Sequence, residues 1–355
     1  MPCRRTLHLL VPFLLLPWLS ACSPVLYYSQ SIRGQLEIMH KRQAIATVLE
    51  EKKLPAGTLS QLAGVEQIRD FAGHELGLPV ADSYRDYMDT GRDYVVWNVF
   101  AAPELSLEAR QWCYLFAGCL AYRGYFAEDE ARRFAAGLAR QGYDVFTGGV
   151  SAYSTLGWFS DPVLNTMLRH DRIYLARVIF HELAHRKLYI KGDTDFNEAF
   201  ADTVADAGVR MWLGGNGTQQ ELLAYDTARL HDDIFVDLVL RYRDRLDAVY
   251  SSSLDAAEKR RQKSSVLEEM KAEYGRIRAD WKDDDGYDAW FAAGLNNAKL
   301  AAVSTYRAYL PGFRMLLSAV DGNLIEFYGQ VEQMRACTSE QRRDILLSGR
   351  TAFAC

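Results

Sequence analysis

Residues 181–202 read HELAHRKLYIKGDTDFNEAFAD, and the spacing of their polar side chains predicts the structure around them. His181 and His185 are four residues apart, so on a helix they project side by side from one face. Two neutral imidazoles in this arrangement can bind one Zn²⁺, and Glu182 between them can act as a general base. Glu198 follows on a second predicted helix and offers a third ligand. The segment therefore predicts a hydrolytic zinc site held by two consecutive helices.

The residues around the two histidines indicate a packed helix. Asp171 is placed to cap its amino end, and Gly192 and Asp193 break it. Six apolar residues flank the histidine edge: Ile173, Ala176, Ile179, Phe180, Leu183 and Ala184. Because buried polar groups need partners, a metal would satisfy both rings and the glutamate. The alternative is an amphipathic helix whose histidines are ordinary core or surface residues.

The segment after His185 separates the classes of zinc hydrolase. A metzincin site would continue with Gly and His at positions 188 and 191, where this chain has Leu188 and Lys191. That class is therefore excluded. A third ligand from a following helix, in the form of a carboxylate, instead defines the gluzincin arrangement.

The following helix is predicted at about residues 196–212, with Asp195 as its N-cap. Glu198 and Asp202 share one face of this helix because they are four residues apart. Glu198 is the preferred third ligand, and Asp202 and Asp206 are the alternatives. A solvated acidic face is the remaining interpretation, and it suits Asp206 better than Glu198.

Residues 197–202 read NEAFAD and resemble the N-E-x-x-x-D segment of thermolysin-like peptidases. In that group the Glu binds zinc, and the Asp accepts a hydrogen bond from a ligand histidine and fixes its tautomer. The resemblance implies these roles for Glu198 and Asp202, with Asn197 beside them. The connection between the two helices is shorter here than in thermolysin itself.

Most of the chain after residue 21 is similar to a family of bacterial aminopeptidases that are zinc-dependent lipoproteins. Besides the zinc segment, the resemblance is carried by residues 122–126 (YRGYF), 152–159 (AYSTLGWF) and 296–300 (NNAKL). It implies that the chain hydrolyses peptides, requires zinc and is located in the cell envelope.

Zinc peptidases bind the substrate backbone along an edge strand that borders the metal cleft. In this chain, the position of that strand in the thermolysin-like group corresponds to Tyr153, Ser154, Thr155, Leu156 and Gly157. Gly157 would allow close approach of another backbone. Gluzincins also supply a downstream Tyr or His that stabilises the oxyanion. Tyr306 is the candidate for this donor, because it follows the NNAKL segment that carries the family resemblance. A plain edge strand and a core tyrosine are the respective alternatives.

The sequence leaves open which end of a peptide such an enzyme attacks. An aminopeptidase must bind the free α-amino group, and Asp161 is the nearest acid after the predicted substrate strand. An endopeptidase acting in the envelope is the first alternative. A non-catalytic lipoprotein scaffold with a structural zinc is the second, although such a site has no need for a base like Glu182.

Residues 1–21 have the features of a bacterial lipoprotein signal. Two arginines precede an apolar stretch, residues 7–18, that is too short to span a bilayer. Residues 19–22 (LSAC) match the lipobox, which would make Cys22 the lipidated amino terminus. An ordinary secretory signal is the alternative.

Ser23 follows the lipobox cysteine, at a position where an Asp would favour retention at the inner membrane. In a bacterium with two membranes, we therefore expect a lipid anchor in the outer membrane that faces the periplasm. No later segment is long and apolar enough to cross a membrane.

The net charge and the cysteine content indicate which classes of partner the protein can bind and whether its compartment is oxidising. Loss of residues 1–21 would leave 39 Lys and Arg against 46 Asp and Glu, a net charge of about −7 instead of −5. With no long basic run, nucleic acid is excluded as a partner. Four cysteines follow Cys22, and an oxidising compartment favours two disulfides. The local pairs Cys113–Cys119 and Cys337–Cys355 are preferred, while other connectivities and free thiols stay open.

The predicted fold class is α+β and predominantly helical: a zincin-like catalytic core with a small sheet, an active-site helix and a long helical hairpin. Residues 22–217 form the core, residues 218–285 a hairpin that projects from it, and residues 286–355 a helical segment that completes the core. Charged residues dominate both hairpin helices, which are broken near residues 251–253. This pattern predicts a solvated face or a docking site for a protein partner.

Local patterns predict the remaining elements. Helices are predicted at residues 25–53, 64–77 and 128–141, a strand at 94–100, a strand or a buried hairpin at 113–122, and an extended segment at 148–159.

Overall fold

The computed structural model describes residues 22–114, 118–152, 160–281, 286–307 and 309–355, with the backbone alone at residues 22–28, 31 and 305–307. The chain forms two compact units, Met1–Lys41 and Arg42–Cys355. In the first unit, the described residues form helix α1 (Cys22–Lys41). Throughout the described ranges, no helix combines the length and the apolar character needed to cross a bilayer.

The helix predicted at residues 25–53 is wrong in its second half. Helix α1 ends at Lys41, and the chain continues as strand β1 (Gln43–Ala44) and helix α2 (Ile45–Glu51). Strand β1 pairs in antiparallel fashion with β2 (Asp86–Met88), which is distant in the chain. The local apolar pattern favours one continuous helix, but this tertiary pairing overrides the helix propensity.

The helix predicted at residues 64–77 is present but ends earlier, at His74, and a second short helix precedes it. Helices α3 (Ala56–Ala63) and α4 (Val65–His74) follow α2, and Gly64 separates them. The buried side of α4 carries Val65, Ile68 and Ala72. Apolar residues at helical spacing therefore hold α4 against the core.

Within the described part of the second unit, the strands form two three-stranded sheets and one two-stranded hairpin. In the first sheet, β2 lies between β1 and the parallel strand β8 (Val163–Leu164). In the second sheet, β3 (Val96–Pro103) lies between two antiparallel neighbours, β6 (Tyr122–Tyr125) and β7 (Tyr143–Val150). Helix α5 (Glu128–Ala139), predicted at residues 128–141, connects β6 to β7.

The prediction of a strand or a buried hairpin at residues 113–122 is correct in part, because a hairpin is present but its described strand residues are half-buried or, at Cys113, exposed. Strands β4 (Trp112–Tyr114) and β5 (Gly118–Leu120) pair antiparallel, with Cys113 opposite Cys119. These facing cysteines form a disulfide, and Cys337 forms another with Cys355. Both predicted local pairs are therefore present.

The sheet strands differ from their predicted limits. Strand β3 extends through Ala101 and Ala102, both fully buried, to Pro103, whereas the prediction was residues 94–100. Strand β7 begins at Tyr143, earlier than the predicted residue 148, and the end of that predicted segment, residues 153–159, lies outside the described residues. Every residue of β7 is half-buried, so this strand has no alternation of buried and exposed positions for a sequence pattern to reflect.

The rest of the second unit is helical. In chain order, it consists of a 3₁₀ turn (Asn165–Leu168), α6 (Arg172–Lys187), α7 (Thr194–Asn216), α8 (Gln219–Ser251), α9 (Ala256–Arg278), α10 (Asp288–Ala292), α11 (Asn297–Arg307), α12 (Leu310–Ser318), α13 (Leu324–Gln333), a second 3₁₀ turn (Met334–Ala336) and α14 (Ser339–Ser348). The predicted fold class, α+β and predominantly helical, is confirmed.

The predicted helical hairpin is formed by α8 and α9, but it packs into the second unit and does not project from it. Its inner side chains share one buried cluster with Leu107 and with Leu300 of α11: Phe235, Leu238, Val239, Leu246, Val266 and Met270. Each such side chain contributes about 1.5–3 kcal/mol when fully buried. The inner face of the hairpin is therefore core. A protein partner on its outer, charged face stays a prediction.

The NNAKL segment, one of the segments that carry the family resemblance, holds this hairpin to the second sheet. Asn297 Nδ2 lies 2.9–3.0 Å from the carbonyl oxygens of Pro103, Glu104 and Ser106, which share its two hydrogens. Asn297 Oδ1 accepts from Tyr250 Oη on α8 at 2.8 Å. Together with Asp144 Oδ2, which accepts from the Asn297 backbone N–H at 2.8 Å, these groups form the Asn297 junction. Its role is structural.

Candidate metal centre

The first ligand helix, α6, begins where the sequence predicts. Asp171 caps it, since Oδ1 of this residue accepts from Tyr174 N at 2.8 Å. Of the predicted apolar flank, Ile173 is only half-buried, whereas the other five residues are fully buried together with Leu175: Ala176, Ile179, Phe180, Leu183 and Ala184. His181 and His185 follow one turn apart, the first half-buried and the second buried. The buried flank therefore holds both rings against α7.

Helix α7 begins at Thr194 and is capped by Asp193, so the prediction of Asp195 as its N-cap is wrong. Asp193 Oδ1 accepts from Phe196 N at 3.4 Å. Its other oxygen accepts from both Nε and Nη2 of Arg342 on α14, each at 2.7 Å. This buried arginine selects the cap, and because it lies far along the chain, the local sequence contains no sign of it.

Two residues support the packing of α7 beside α6. A Cβ atom at Gly208 would lie 2.7 Å from Leu76 Cδ1 and 3.0 Å from Phe180 Cδ2, so a larger residue there would displace these side chains. Asn197 binds the connection between them: its Nδ2 donates to Ile190 O and its Oδ1 accepts from Ile190 N, both at 2.8 Å. Asn197, predicted beside the ligands, thus holds the loop that joins the two ligand helices.

Ligand atoms of His181, His185 and Glu198 converge at one point between α6 and α7. His181 Nε2 lies 3.1 Å from His185 Nε2 and 3.4 Å from Glu198 Oε2, and His185 Nε2 lies 3.7 Å from the same oxygen. A tetrahedral zinc site with bonds of about 2.1 Å requires ligand atoms roughly 3.4 Å apart. The observed distances bracket this value, so the three side chains fit a metal ion of that size.

The electrostatics of the same side chains favour positive charge at this point. Burial disfavours the cationic form of His181, but hydrogen bonds to Asp202 and Glu198 outweigh it and raise the pKa of this ring to about 10. Burial favours the neutral form of Glu198, but the charge of His185 and hydrogen bonds from both histidines lower its pKa to about 2. A metal ion can take the place of the proton that the cluster holds.

Asp202 and Asp206, the alternative ligands, contact other groups. Asp202 Oδ1 lies 3.1 Å from His181 Nδ1, on the side of the ring away from Glu198, and accepts from Arg177 Nη2 at 2.7 Å. Asp206, one turn further along α7, accepts from Tyr225 Oη at 2.8 Å. Of the three acids considered, Glu198 is therefore the one whose oxygen meets the two imidazole nitrogens.

Glu182 is half-buried on α6, next to His181. Burial raises the pKa of its carboxyl, the charges of His181 and His185 oppose this shift, and the charges of Glu198 and Asp161 add to it. A carboxylate beside the converging ligand atoms, with increased affinity for protons, has the position and the chemistry of a general base.

Two residues from distant parts of the chain lie near Glu182. Asp161 is 4% exposed, and its charge acts on both Glu182 and Tyr84. Tyr84 is buried and donates from its backbone N–H to Asp161 O at 2.7 Å. The preceding residue, Ser83, accepts at Oγ from Arg186, which follows His185 on α6. The chain thus brings residues 83, 84 and 161 close to helix α6.

Tyr84 is the residue of this group that the sequence does not indicate. It adopts φ 62°, a left-handed conformation that is uncommon for a bulky residue and that concentrates at functional sites. It is one of 20 tyrosines and lies in no motif, so no local signal distinguishes it. Burial, and then the charges of Glu182 and Asp161, raise the pKa of its phenol well above the usual value, which keeps it a hydrogen-bond donor.

The other predicted site residues lie outside what the structure describes. This applies to Tyr153, Ser154, Thr155, Leu156 and Gly157. The backbone of Tyr306 belongs to α11, but its side chain is outside the described set, and the same holds for Cys22 at the start of α1. Their predicted roles stay predictions.

Comparison with known families connects this geometry to an activity. A family model described as "Putative aminopeptidase" matches residues 26–346. The chain belongs to this family. The match spans both ligand helices, and membership supports peptidase activity and implies a peptide substrate. A search of curated proteins found no match, and neither did a search of solved structures.

Proposed function

We propose that this family member is a zinc-dependent aminopeptidase anchored in the bacterial cell envelope. The observation that carries the proposal is the spacing of His181 Nε2, His185 Nε2 and Glu198 Oε2, 3.1–3.7 Å apart, as a tetrahedral zinc site requires. Three protein ligands leave one position for water or substrate, which is the pattern of catalytic zinc sites. A structural site would close that position with protein.

When bound, zinc would activate a water molecule and polarise the scissile carbonyl. Glu182 takes the proton from the attacking water and delivers it to the departing amine. His181 keeps Nε2 directed at the ligand point because Nδ1 donates to Asp202. The protein thus supplies the general base, orients the ligand His181 and holds both side chains in a largely buried position.

A side-chain donor to the oxyanion completes this mechanism. Tyr306 on α11 is our candidate from the sequence. Tyr84 is a second candidate because it lies near Glu182. Replacing each by Phe separates them: loss of the true donor lowers kcat by about 10²–10³-fold and leaves KM nearly unchanged, whereas the other variant retains kcat.

Asp161 is our candidate for binding the free α-amino group of the substrate. Its carboxylate is buried near Glu182, so an ammonium group bound to it would lie near the general base. An ammonium with a buried carboxylate partner is strongly favoured over a blocked amino end. This interaction would restrict cleavage to the first residue of a peptide.

The proposed location is the periplasmic side of the outer membrane, to which a lipid on Cys22 would anchor the protein. Replacing Cys22 by Ser removes the acceptor thiol. We expect this variant to leave the membrane fraction and to keep its peptidase activity.

The test of the activity compares the wild type with Glu182→Gln on two substrates, an aminoacyl reporter and the same peptide with an acetylated amino end. We expect the wild type to bind one zinc and cleave only the free substrate. Glu182→Gln should retain zinc and the folded state and lose about 10²–10⁴-fold in kcat. Glu340→Gln, at an exposed glutamate on α14, is the matched control and should have wild-type activity.

Three outcomes would contradict parts of the proposal. Undiminished activity of Glu182→Gln would reject the mechanism. Cleavage of the acetylated peptide alone would reject the aminopeptidase assignment and support an endopeptidase. Zinc binding without cleavage of either substrate would support a scaffold with structural zinc.

A further inference from the structure

Arg177 connects the metal centre to a buried network of charges. It lies on α6 one turn before His181, so the two side chains extend over the same helix face. Its Nη2 donates to Asp202 Oδ1 at 2.7 Å, and that same oxygen lies 3.1 Å from His181 Nδ1. One carboxylate oxygen is thus shared between the guanidinium and the ligand histidine.

This shared oxygen determines which nitrogen of His181 carries the proton. Arg177 is a cation and pairs with the carboxylate form of Asp202, which accepts hydrogen bonds and has no hydrogen to donate. His181 Nδ1 must then be the donor to Asp202, and the lone pair of the neutral ring is at Nε2. That atom is the one 3.4 Å from Glu198 Oε2 and 3.1 Å from His185 Nε2. The arrangement leaves Nε2 available to a metal.

Arg177 is itself held from its other side. Its Nε lies 3.4 Å from Asp206 Oδ1, and Asp206 also accepts from Tyr225 Oη on α8 at 2.8 Å and from Arg314 Nη2 on α12 at 3.3 Å. The side chains of Asp202 and Asp206 are 8% and 3% exposed, so solvent competes little with these bonds. Two carboxylates on α7 therefore fix both ends of one planar guanidinium.

We propose that Arg177 is a positioning residue for the metal centre: it acts through Asp202 to fix the ring orientation and the donor nitrogen of His181. This inference depends on metal binding by His181, His185 and Glu198, which is part of the proposed function. Outer partners of metal ligands typically change metal affinity by about 10–100-fold.

The test measures zinc affinity of the full chain by competition with a chromophoric chelator, together with the d–d absorption spectrum after replacement by Co²⁺. Arg177→Met keeps the length of the side chain and removes its donors. We expect zinc binding about 10–100-fold weaker than in the wild type and a changed cobalt spectrum. Arg177→Lys keeps the charge and loses the planar pair of donors, so we expect a smaller loss, about threefold or more.

Arg172→Met is the matched control. Arg172 is on the same helix and forms an ion pair with Glu221 at 2.7 Å, but its side chain is 42% exposed. Because an exposed pair contributes about 0–1 kcal/mol, this variant should bind zinc like the wild type. The control separates the loss of the Arg177 contacts from the loss of any arginine on α6.

Folded Arg177→Met with wild-type zinc affinity and an unchanged cobalt spectrum would overturn the inference and leave Arg177 a purely structural residue. If Arg177→Met does not fold, Arg177→Lys decides by the same two measurements. A wild type that binds zinc but hydrolyses no peptide rejects the proposed activity alone, since the affinities still decide the role of Arg177. A wild type that binds no metal rejects both.

Discussion

The metal centre and the Asn297 junction are both buried polar clusters, and both include segments that carry the family resemblance. In the Asn297 junction, the amide donates to three carbonyl oxygens and accepts from Tyr250 Oη, so the protein itself supplies the partners. In the metal centre, two ring nitrogens and a carboxylate oxygen meet each other at 3.1–3.7 Å. These contacts satisfy the cluster only while the rings donate protons to Glu198, and a metal ion can take the place of those protons.

This difference separates structural from functional polar residues in one molecule. Buried polar groups whose partners are all protein atoms stabilise the fold and have no further capacity to bind. A buried cluster that stabilises a cation from outside the chain is a binding site. Substitutions in each of the two clusters test this distinction.

Replacing Glu198 by Ala should abolish the metal centre. With the third ligand removed, we expect zinc affinity to fall by more than the roughly 100-fold that outer partners contribute, and peptidase activity to fall below detection. Isothermal calorimetry with zinc and the aminoacyl reporter measure the two effects. Glu340→Ala, at an exposed position on α14, is the control. Retained stoichiometric zinc in Glu198→Ala would mean that a different residue is the third ligand.

Replacing Asn297 by Ala should have the opposite signature. Three carbonyl oxygens lose their donor, so we expect the free energy of unfolding to decrease by about 3 kcal/mol, measured by urea denaturation. Zinc affinity of the folded variant should be unchanged. Asn323→Ala removes the cap of α13 at an exposed position and should cost about 1 kcal/mol. Weaker zinc binding in folded Asn297→Ala would contradict the separation of the two clusters.

Replacing Asp202 by Asn should weaken zinc binding by about 10–100-fold without unfolding the protein. The reason is that the amide is a poorer acceptor for His181 Nδ1 than the carboxylate it replaces. If Arg177 acts through Asp202, then Arg177→Met should add little to this loss in the double variant. Fully additive losses would show that the two residues act independently.

The smallest effect concerns the pH dependence of Lys299, next to the Asn297 junction. This residue is 2% exposed, and burial lowers its pKa from 10.5 to about 8, although Gly294 O accepts from its Nζ at 3.0 Å. Between these two values the unfolded chain binds more protons than the folded chain, so the stability contributed by this residue rises with pH across that window and is constant below it.

Unfolding free energies of the wild type and Lys299→Met, measured from pH 7 to 10.5, test this sign. We expect the difference to shift in favour of the wild type as the pH rises from about 8, since Met has no proton to release. The tyrosines ionise in the same pH range, but their contribution is equal in the two proteins and cancels in the difference between the unfolding free energies. A difference that is independent of pH would mean that Lys299 keeps its ordinary pKa in the folded protein.

The parts of the fold that the sequence predicts well depend on neighbours within one or two helical turns. Asp171 caps α6 through the backbone N–H three residues later, and the four-residue spacing of His181 and His185 places both rings on one face. The hairpin of α8 and α9 is likewise a local pattern of two helices and a turn. Such features follow from helix geometry and the chemistry of capping, which the tertiary structure does not change.

The errors occur where a distant residue selects between local alternatives. Asp193 and Asp195 are both acceptable N-caps, and Arg342 decides for Asp193. Residues 42–45 read as helix until β2 offers a strand partner. The hairpin reads as a projecting arm until Leu107 and Leu300 join its inner face. In each case the competing local energies are small, so one long-range contact determines the outcome.

Residue type and short spacing were enough to predict the HELAH helix, the acids on the helix after it and the cysteine pairs. Which acid meets the histidines could be read only from the folded chain, since Glu198, Asp202 and Asp206 lie on nearby turns of the same helix. Folding also brought Arg177, Asp206 and Arg314 into one network, and placed Tyr84 and Asp161 near Glu182. The physical reason is that positions of buried charges are set by partners from other helices, and those partners have no fixed spacing in the chain.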